Sequence, residues 1–259
     1  MTMTIRRLAR ADLAAVGTMV RASFEVRLAP FMVATQHGWP DFLGVVLDHP
    51  RQFPAQRLHV VELDGDVVGF ADFRAPGDGS GFLSYICIAS AARGRGLARQ
   101  LFGACVREAG PLHTVGLDVF EDNEPARGMY DAMGFEAGET QVWWRAPVPV
   151  GVEAESWAVA GLTTALAAHE RYGFCELSGT LAGRTARCGR IGSSVLRLFS
   201  PQDFDDRGLA AAVTREFPEL SDTFGVLPAS HQPSAGGAEA FNRVIRMTTH
   251  DLPRLLGAP

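Results

Sequence analysis

Long apolar runs are missing from these 259 residues: no hydrophobic stretch approaches the roughly 20 residues that cross a bilayer. The opening, MTMTIRRLARADL, also lacks the apolar core of a secretory signal, so a cytoplasmic protein with no membrane role is predicted. The four cysteines, Cys87, Cys105, Cys175 and Cys188, stand far apart and form no C-x-x-C pair, so neither a zinc site nor a redox motif is expected and no metal is predicted. An excess of positive charge is lacking too. The formal charge of −5 excludes a general nucleic-acid surface, although a local basic site can sit within an acidic whole. What is present suits ordinary cores, since hydrophobic residues make up 47% and charged ones 20%. The length predicts two domains.

Periodicity lays out the first of them, residues 1–147. Thr4 to Leu8 reads as a strand, and a helix entered near Asp12 carries Leu13, Val16, Met19 and Val20 at helical spacing. Residues 25–53 read as two Pro-bounded helical pieces, rich in aromatics, that wall a pocket. In RLHVVELDGDVVGFADFR two β-rich runs flank Asp64-Gly65, a hairpin signal, and GFLSYICIAS continues the meander. A helix after Leu97, a strand in HTVGLDVF, a helix in NEPARGMYDAMG and a strand in TQVWWRAPV follow. The fold class predicted is α/β of the α+β type: a mixed, mostly antiparallel sheet with helices on both faces.

PVPVGVE marks a connector, and residues 148–259 read as a smaller α/β domain. Its expected elements are a helix at 155–170, strands near 172–180, 183–190 and 193–199, a helix at 204–216, a strand near 223–228 and a helix at 237–248.

The stretch AARGRGLARQLF, residues 91–102, crowds three arginines and two glycines into a strand-to-helix turn. Such a turn bares backbone N–H groups at a helix N-terminus, and the glycines let a ligand approach them closely. Arg93, Arg95 and Arg99 add charge of the same sign. A pyrophosphate suits this better than a carboxylate. The pattern G-x-x-x-x-G-K-[ST] is absent, and G-x-G-x-x-G from Gly94 meets Arg99 where its third glycine belongs. What remains is R-x-x-G-x-A, made by Arg93, Gly96 and Ala98.

YICIASAARGRGLARQLF therefore resembles the acyl-CoA-binding motif of the GNAT superfamily of N-acyltransferases, Q/R-x-x-G-x-G/A after a central strand. A second match lies in LDVFEDNEPARGMYDAMGFE, where Asn123, Ala126, Tyr130 and Gly134-Phe135 reproduce the family's N-x-x-A-x-x-x-Y-x-x-x-G-F. Asn123 and Tyr130 are seven residues apart, two helical turns, and share one face. The resemblance covers about residues 4–146 and implies a cosubstrate, acetyl-CoA, and an amine acceptor. It places the coenzyme between strands 82–89 and 113–120, with backbone groups around Cys87 and Ile88 gripping pantetheine and the turn of Arg93, Gly94, Arg95, Gly96, Leu97, Ala98 and Arg99 holding the pyrophosphate. It gives Asn123 the pantetheine arm and Tyr130 the role of general acid toward the departing thiolate. The amine attacks directly, so Cys87 is a strand residue and no nucleophile.

Many members of that family carry a glutamate on the strand before the phosphate loop, where this sequence has Phe82, Leu83, Ser84 and Tyr85. Asp72, Asp118, Glu25, His37 and His49 are the candidates left for the base. A lysine-like amine is neutral in about one molecule in 2,500 at pH 7, an α-amine in about one in seven, so the missing glutamate favours a low-pKa acceptor such as a small molecule or a peptide N-terminus. Residues 148–259 hold no second phosphate loop, because RCGRIGS has Arg190 where glycine is required. They resemble the worn second halves of tandem GNAT chains, expected to cover a sheet edge, shape the acceptor pocket or support a homodimer. The rival readings are a non-catalytic acyl-CoA sensor and an interaction module.

Overall fold

The computed structural model describes residues 2–153 and 156–257. In chain order its first elements are β1 (Met3–Arg7), α1 (Leu13–Ala22), α2 (Trp39–Asp48), β2 (Gln56–Leu63), β3 (Asp66–Arg74), β4 (Ser80–Ile88), α3 (Leu97–Ala109), β5 (Thr114–Phe120), α4 (Glu124–Ala132) and β6 (Glu136–Pro147). They are followed by β7 (Trp157–Ala160), α5 (Leu162–Tyr172), β8 (Phe174–Leu181), β9 (Arg184–Ile191), β10 (Val195–Leu198), α6 (Pro201–Asp205), α7 (Arg207–Glu216), β11 (Asp222–Pro228), β12 (Glu239–Thr249) and α8 (Leu252–Leu255). The chain divides into two compact units, one of Met1–Glu25, Pro40–Glu139 and Ile245–Pro259, the other of Val26–Trp39 and Thr140–Val244. Among the described residues no helix is long and apolar enough to cross a membrane.

In the first unit β1, β2, β3 and β4 pair antiparallel in that order, β4 pairs parallel with β5, and the end of β12 lies beside β5. Asp64 and Gly65 both take positive φ, 51° and 95°, which matches the right-handed twist of the hairpin they close. Helices cover both faces. α3 lays Leu101, Phe102, Cys105 and Val106 on Val61, Ala71 and Phe73, burying them almost completely. On the other face α1 buries Val16 and Val20, one helical turn apart. The carboxylate of Asp12 makes no cap to α1; it accepts the Ala9 N–H at 2.8 Å and two bonds from Arg6, at 2.7 and 2.9 Å, while Arg6 also pairs with Glu62. That network ties β1 to the start of α1 and to β2.

In the second unit β6 pairs antiparallel with β11, β11 parallel with β10, and β10, β9, β8 and β7 continue antiparallel. Its core gathers Leu177, Cys188, Leu196, Phe204, Leu209, Val213 and Leu227. Phe31, from the segment between α1 and α2, packs on Phe224 and Phe241 with ring centroids 5.2 and 4.7 Å away. The fold class is the one expected, mixed α/β with a mostly antiparallel sheet.

Three local expectations are corrected. The helix expected at 237–248 is the strand β12: its burial alternates, with Ile245, Met247 and Thr249 covered and Arg246 and Thr248 less so. Glutamate, alanine and arginine suggested a helix there, and pairing with neighbouring strands overrode that propensity. The helix expected at 155–170 starts late, at Leu162 after Gly161 with φ 62°, because Trp157–Ala160 pairs with β8; Glu155 lies outside the described residues. Of the two helical pieces expected in 25–53, the first is a pair of single 3-10 turns, Ala29–Phe31 and Val33–Thr35, and only the second is an α-helix.

Candidate active site

The parallel pair β4·β5 is joined only at its beginning. Its register runs from Ser80↔Thr114 to Leu83↔Leu117, although β4 continues to Ile88 and β5 to Phe120. Beyond Leu83 the two strands part, so the β5-facing edge of β4 around Cys87 and Ile88 has no ladder partner there. The departure coincides with a bulge. On the other side of β4, Asp72 is opposite Tyr85 and Phe73 opposite Leu83, which leaves Ser84 as the extra residue and bends the strand.

The mouth of this gap is the turn into α3. Gly94 and Gly96 have φ of 73° and 70°, the left-handed region that other residues enter at a cost of about 1–2 kcal/mol. A methyl group built on Gly94 would meet nothing within 4 Å, and one on Gly96 would touch only the end of Gln100. No side chain caps α3, whose N-cap is Gly96 itself, so the first-turn N–H groups of Leu97, Ala98 and Arg99 are left without a side-chain acceptor. Arg93 Nε donates to the Ile88 carbonyl at 3.1 Å and Arg99 donates to the Arg254 carbonyl at 3.0 Å. Arg95 is exposed beside them. Backbone and charge here suit a diphosphate.

α4 starts where β5 ends. Asn123 is its N-cap, the side-chain oxygen accepting the Ala126 N–H at 3.2 Å, with Pro125 in the first turn and Gly134 at φ 84° beyond its end. The helix turns Tyr130 inward against Phe102 and Phe135, with centroids 6.4 and 5.7 Å away. Tyr130 is only 5% exposed, its hydroxyl makes no hydrogen bond among the described residues, and burial alone pushes its pKa up. Asn123 stays exposed, so its NH2 group is free to meet another molecule. Cys87 is buried and its thiol is pushed up to about 11, mainly by burial, which keeps it protonated and unreactive.

The opposite face of the gap, toward α1, holds Phe82, Tyr85, Phe120 and Asp118. Phe24, just past α1, packs edge-on against both Tyr85 and Phe120, centroids 6.3 and 6.4 Å away, and so spans the parted strands. Among the candidate bases, Asp118 is held by Arg246 at 2.5 and 3.1 Å, and that guanidinium also lies 5.0 Å over the Phe82 ring. Glu25 and His49 are exposed, and His37 belongs to the second unit. Asp72 differs from all of them. It is 3% exposed, both its oxygens accept from Gln56 Nε2 at 2.9 Å, and burial raises its pKa to about 6 against the pull of Arg74 and Gln56. Phe24, Gln56 and Arg246 were not singled out by sequence, and only contacts across 96, 16 and 128 positions reveal them. Of these candidate bases, His37 lines a cavity of about 600 Å³ in the second unit, together with His169 and Ser193.

Residues 24–135 match the model of the acetyltransferase (GNAT) family. No curated protein sequence matches the chain significantly. Among solved structures, a tandem GNAT protein from the clavulanic acid biosynthesis pathway is 15% identical, with 96% of this chain and 98% of that one covered and a TM-score of 0.63. A GCN5-related N-acetyltransferase from Sphaerobacter thermophilus is 16% identical over 95% of both chains, TM-score 0.57. A ribosomal-protein-alanine N-acetyltransferase from Brucella melitensis is 25% identical, covering 58% of this chain and 91% of its own, TM-score 0.45. The first two likenesses are of fold, and the family match falls on the stretch that carries the parted strands, the uncapped helix and Tyr130: it is residues 24–135 that are similar to the GNAT acetyltransferase family.

Proposed function

We propose that the protein is an N-acetyltransferase that moves an acetyl group from acetyl-CoA to a primary amine, on a small molecule or a peptide N-terminus, by direct attack. The observation that carries this reading is the parting of β4 and β5 beyond Leu83 and Leu117, next to a helix whose N-terminus is left uncapped behind two left-handed glycines. The coenzyme fits the residues present. Its diphosphate would take the N–H groups of the Arg93–Arg99 turn, and its pantetheine the edge of β4 around Cys87 and Ile88 that has no ladder partner on β5, with Asn123 alongside.

The amine nitrogen attacks the thioester carbonyl, the C–S bond breaks, and sulfur leaves with the electron pair. Tyr130 supplies the proton that turns the leaving thiolate into a thiol, the new amide nitrogen releases one to solvent, and solvent returns one to the Tyr130 phenolate, so the step closes without net proton change. Free thiols have pKa near 8.5 and phenols near 10, so the transfer is mildly uphill in water. Burial raises the Tyr130 phenol, and burial of the leaving sulfur raises its thiol in the same direction, which offsets part of that cost. A hydroxyl with no hydrogen-bond partner among the described residues supports this role, because it has a donor to give. We propose further that residues 148–259 are a degenerate GNAT-like half without catalytic motifs.

The test is a pair of measurements on the purified protein. Acetyl-CoA at 100 times its Kd stabilises by about 2.7 kcal/mol and should raise the melting temperature. A panel of amines is then screened for release of CoA thiol; the chain has no lysine, so self-acetylation of side-chain ε-amines cannot mimic turnover. Stabilisation without thiol release favours the sensor, and neither signal ends the proposal.

A further inference from the structure

We propose that Asp72 is the final acceptor of the proton lost by the incoming amine, receiving it by way of the Tyr85 hydroxyl. This rests on the acetyltransferase reading and names the base that reading lacks. Phe82 to Tyr85 offers no carboxylate, and Asp118 is occupied by Arg246. Asp72 supplies one from the neighbouring strand. It is directly opposite Tyr85 in the β3·β4 register, and directly opposed residues put their side chains on the same face, about 5 Å apart at Cβ. Tyr85 is the first residue of β4 after the bulge, in the stretch no longer joined to β5, and its ring is against Phe24. Tyr130 packs into the α3 side of the sheet, with Phe102 and Phe135. The donor for sulfur and the acceptor for nitrogen therefore lie on opposite faces of the gap, as an attack on one side and a departure on the other require.

The proton count closes: the ammonium gives its proton to the Tyr85 oxygen as the Tyr85 proton passes to Asp72, so the amine becomes neutral, Tyr85 is unchanged and Asp72 ends protonated. Asp72 is one side chain removed from the amine and is thus a positioning residue. On its own face of the sheet Asp72 meets Gln56 on β2, Arg74 on its own strand and Tyr85 opposite it on β4, while α1 carries Arg21 as its one ionisable residue and Cys105 lies across the sheet on the α3 side. Gln56 and Arg74 both favour the charged form, and burial outweighs them. A carboxylate titrating at about 6 also selects its acceptor. Proton transfer from an α-ammonium near 7.8 is unfavourable by about 60-fold, and from a lysine-like ammonium near 10.4 by about 25,000-fold. The acceptor class is an amine of low pKa.

The experiment records log kcat against pH for the wild type, Asp72→Asn and Gln56→Leu, with CoA-induced stabilisation as the check on folding. The wild type should climb with unit slope through about pH 6 and then level off. Asp72→Asn should lose that limb and about 10²-fold in kcat, while Gln56→Leu, which removes a hydrogen bond to the charged form, should move the limb to higher pH. A structural role for Asp72 would move neither limb. An active wild type whose limb persists in Asp72→Asn overturns this proposal alone. If Asp72→Asn does not fold, an unmoved limb in Gln56→Leu does the same. A wild type that binds CoA and acetylates no amine overturns the acetyltransferase reading and this proposal with it.

Discussion

Replacing Tyr130 by phenylalanine removes one oxygen from a residue that is 5% exposed and whose hydroxyl has no hydrogen-bond partner among the described residues. The hydroxyl has no protein hydrogen bond among the described residues to lose and is not one of the fully buried polar atoms left without a partner, so the variant should match the wild type in stability to within about 1 kcal/mol. For a chain of this size 1 kcal/mol is roughly 2–4 °C in melting temperature. The rings that hold Tyr130, Phe102 and Phe135, keep the same phenyl group to pack on. Catalysis should move the other way, with kcat down about 10²-fold, equivalent to about 2.7 kcal/mol, and CoA affinity unchanged. The raised pKa adds a check on sign. The folded phenol holds its proton more tightly than the unfolded one, so its contribution to stability is full below the unfolded value of 10.0 and is lost as pH rises above it. Tyr130→Phe should therefore flatten the alkaline fall in stability. Differential scanning fluorimetry from pH 7 to 11 and single-turnover thiol release decide the matter. A drop of several degrees at pH 7 would show that the hydroxyl is structural, and an unchanged kcat would remove Tyr130 from the reaction.

Gly96→Ala should cost about 1–2 kcal/mol of stability through its φ of 70° and weaken CoA binding about tenfold or more by setting a methyl group in the open turn, measured by melting temperature and by titration with CoA. Phe102→Ala removes a side chain of 0% exposure that supports Tyr130, Phe135 and Phe73, and about 3–5 kcal/mol of unfolding free energy should go with it in urea titrations. His59 is buried, bonded to Glu108 at 2.8 Å and to the Cys105 sulfur at 3.5 Å, and burial lowers its pKa first of all. The unfolded chain binds more protons at this position below 6.5, so the stability it contributes is present above that pH and is lost as pH falls toward the lowered folded value. His59→Asn should flatten the acid limb of stability against pH, and an unaltered slope below pH 6.5 would refute this assignment.

Features that depend on neighbours in sequence were readable before the fold was. Asp64-Gly65 closes its hairpin with two positive φ angles because that turn demands them locally. The spacing of Gly94 and Gly96 before Leu97 is a local requirement of the same kind, and so is the seven-residue interval from Asn123 to Tyr130. Pairing between distant strands leaves no such trace. Ile245, Met247 and Thr249 form a strand because a ladder is available to them, and the same letters in isolation suit a helix. The candidate base shows the limit most clearly. Asp72 and Asp118 look equivalent in sequence, each an acidic residue on a predicted strand. What separates them is Arg246, 128 residues beyond Asp118, which holds one carboxylate as an ion pair, and Gln56, which accompanies the other into a buried layer without neutralising it. For Asp72, burial outweighs both Arg74 and the Gln56 amide and lets the carboxylate trade protons near neutrality. The acid–base character of this site is thus set by which strand each long-range partner reaches.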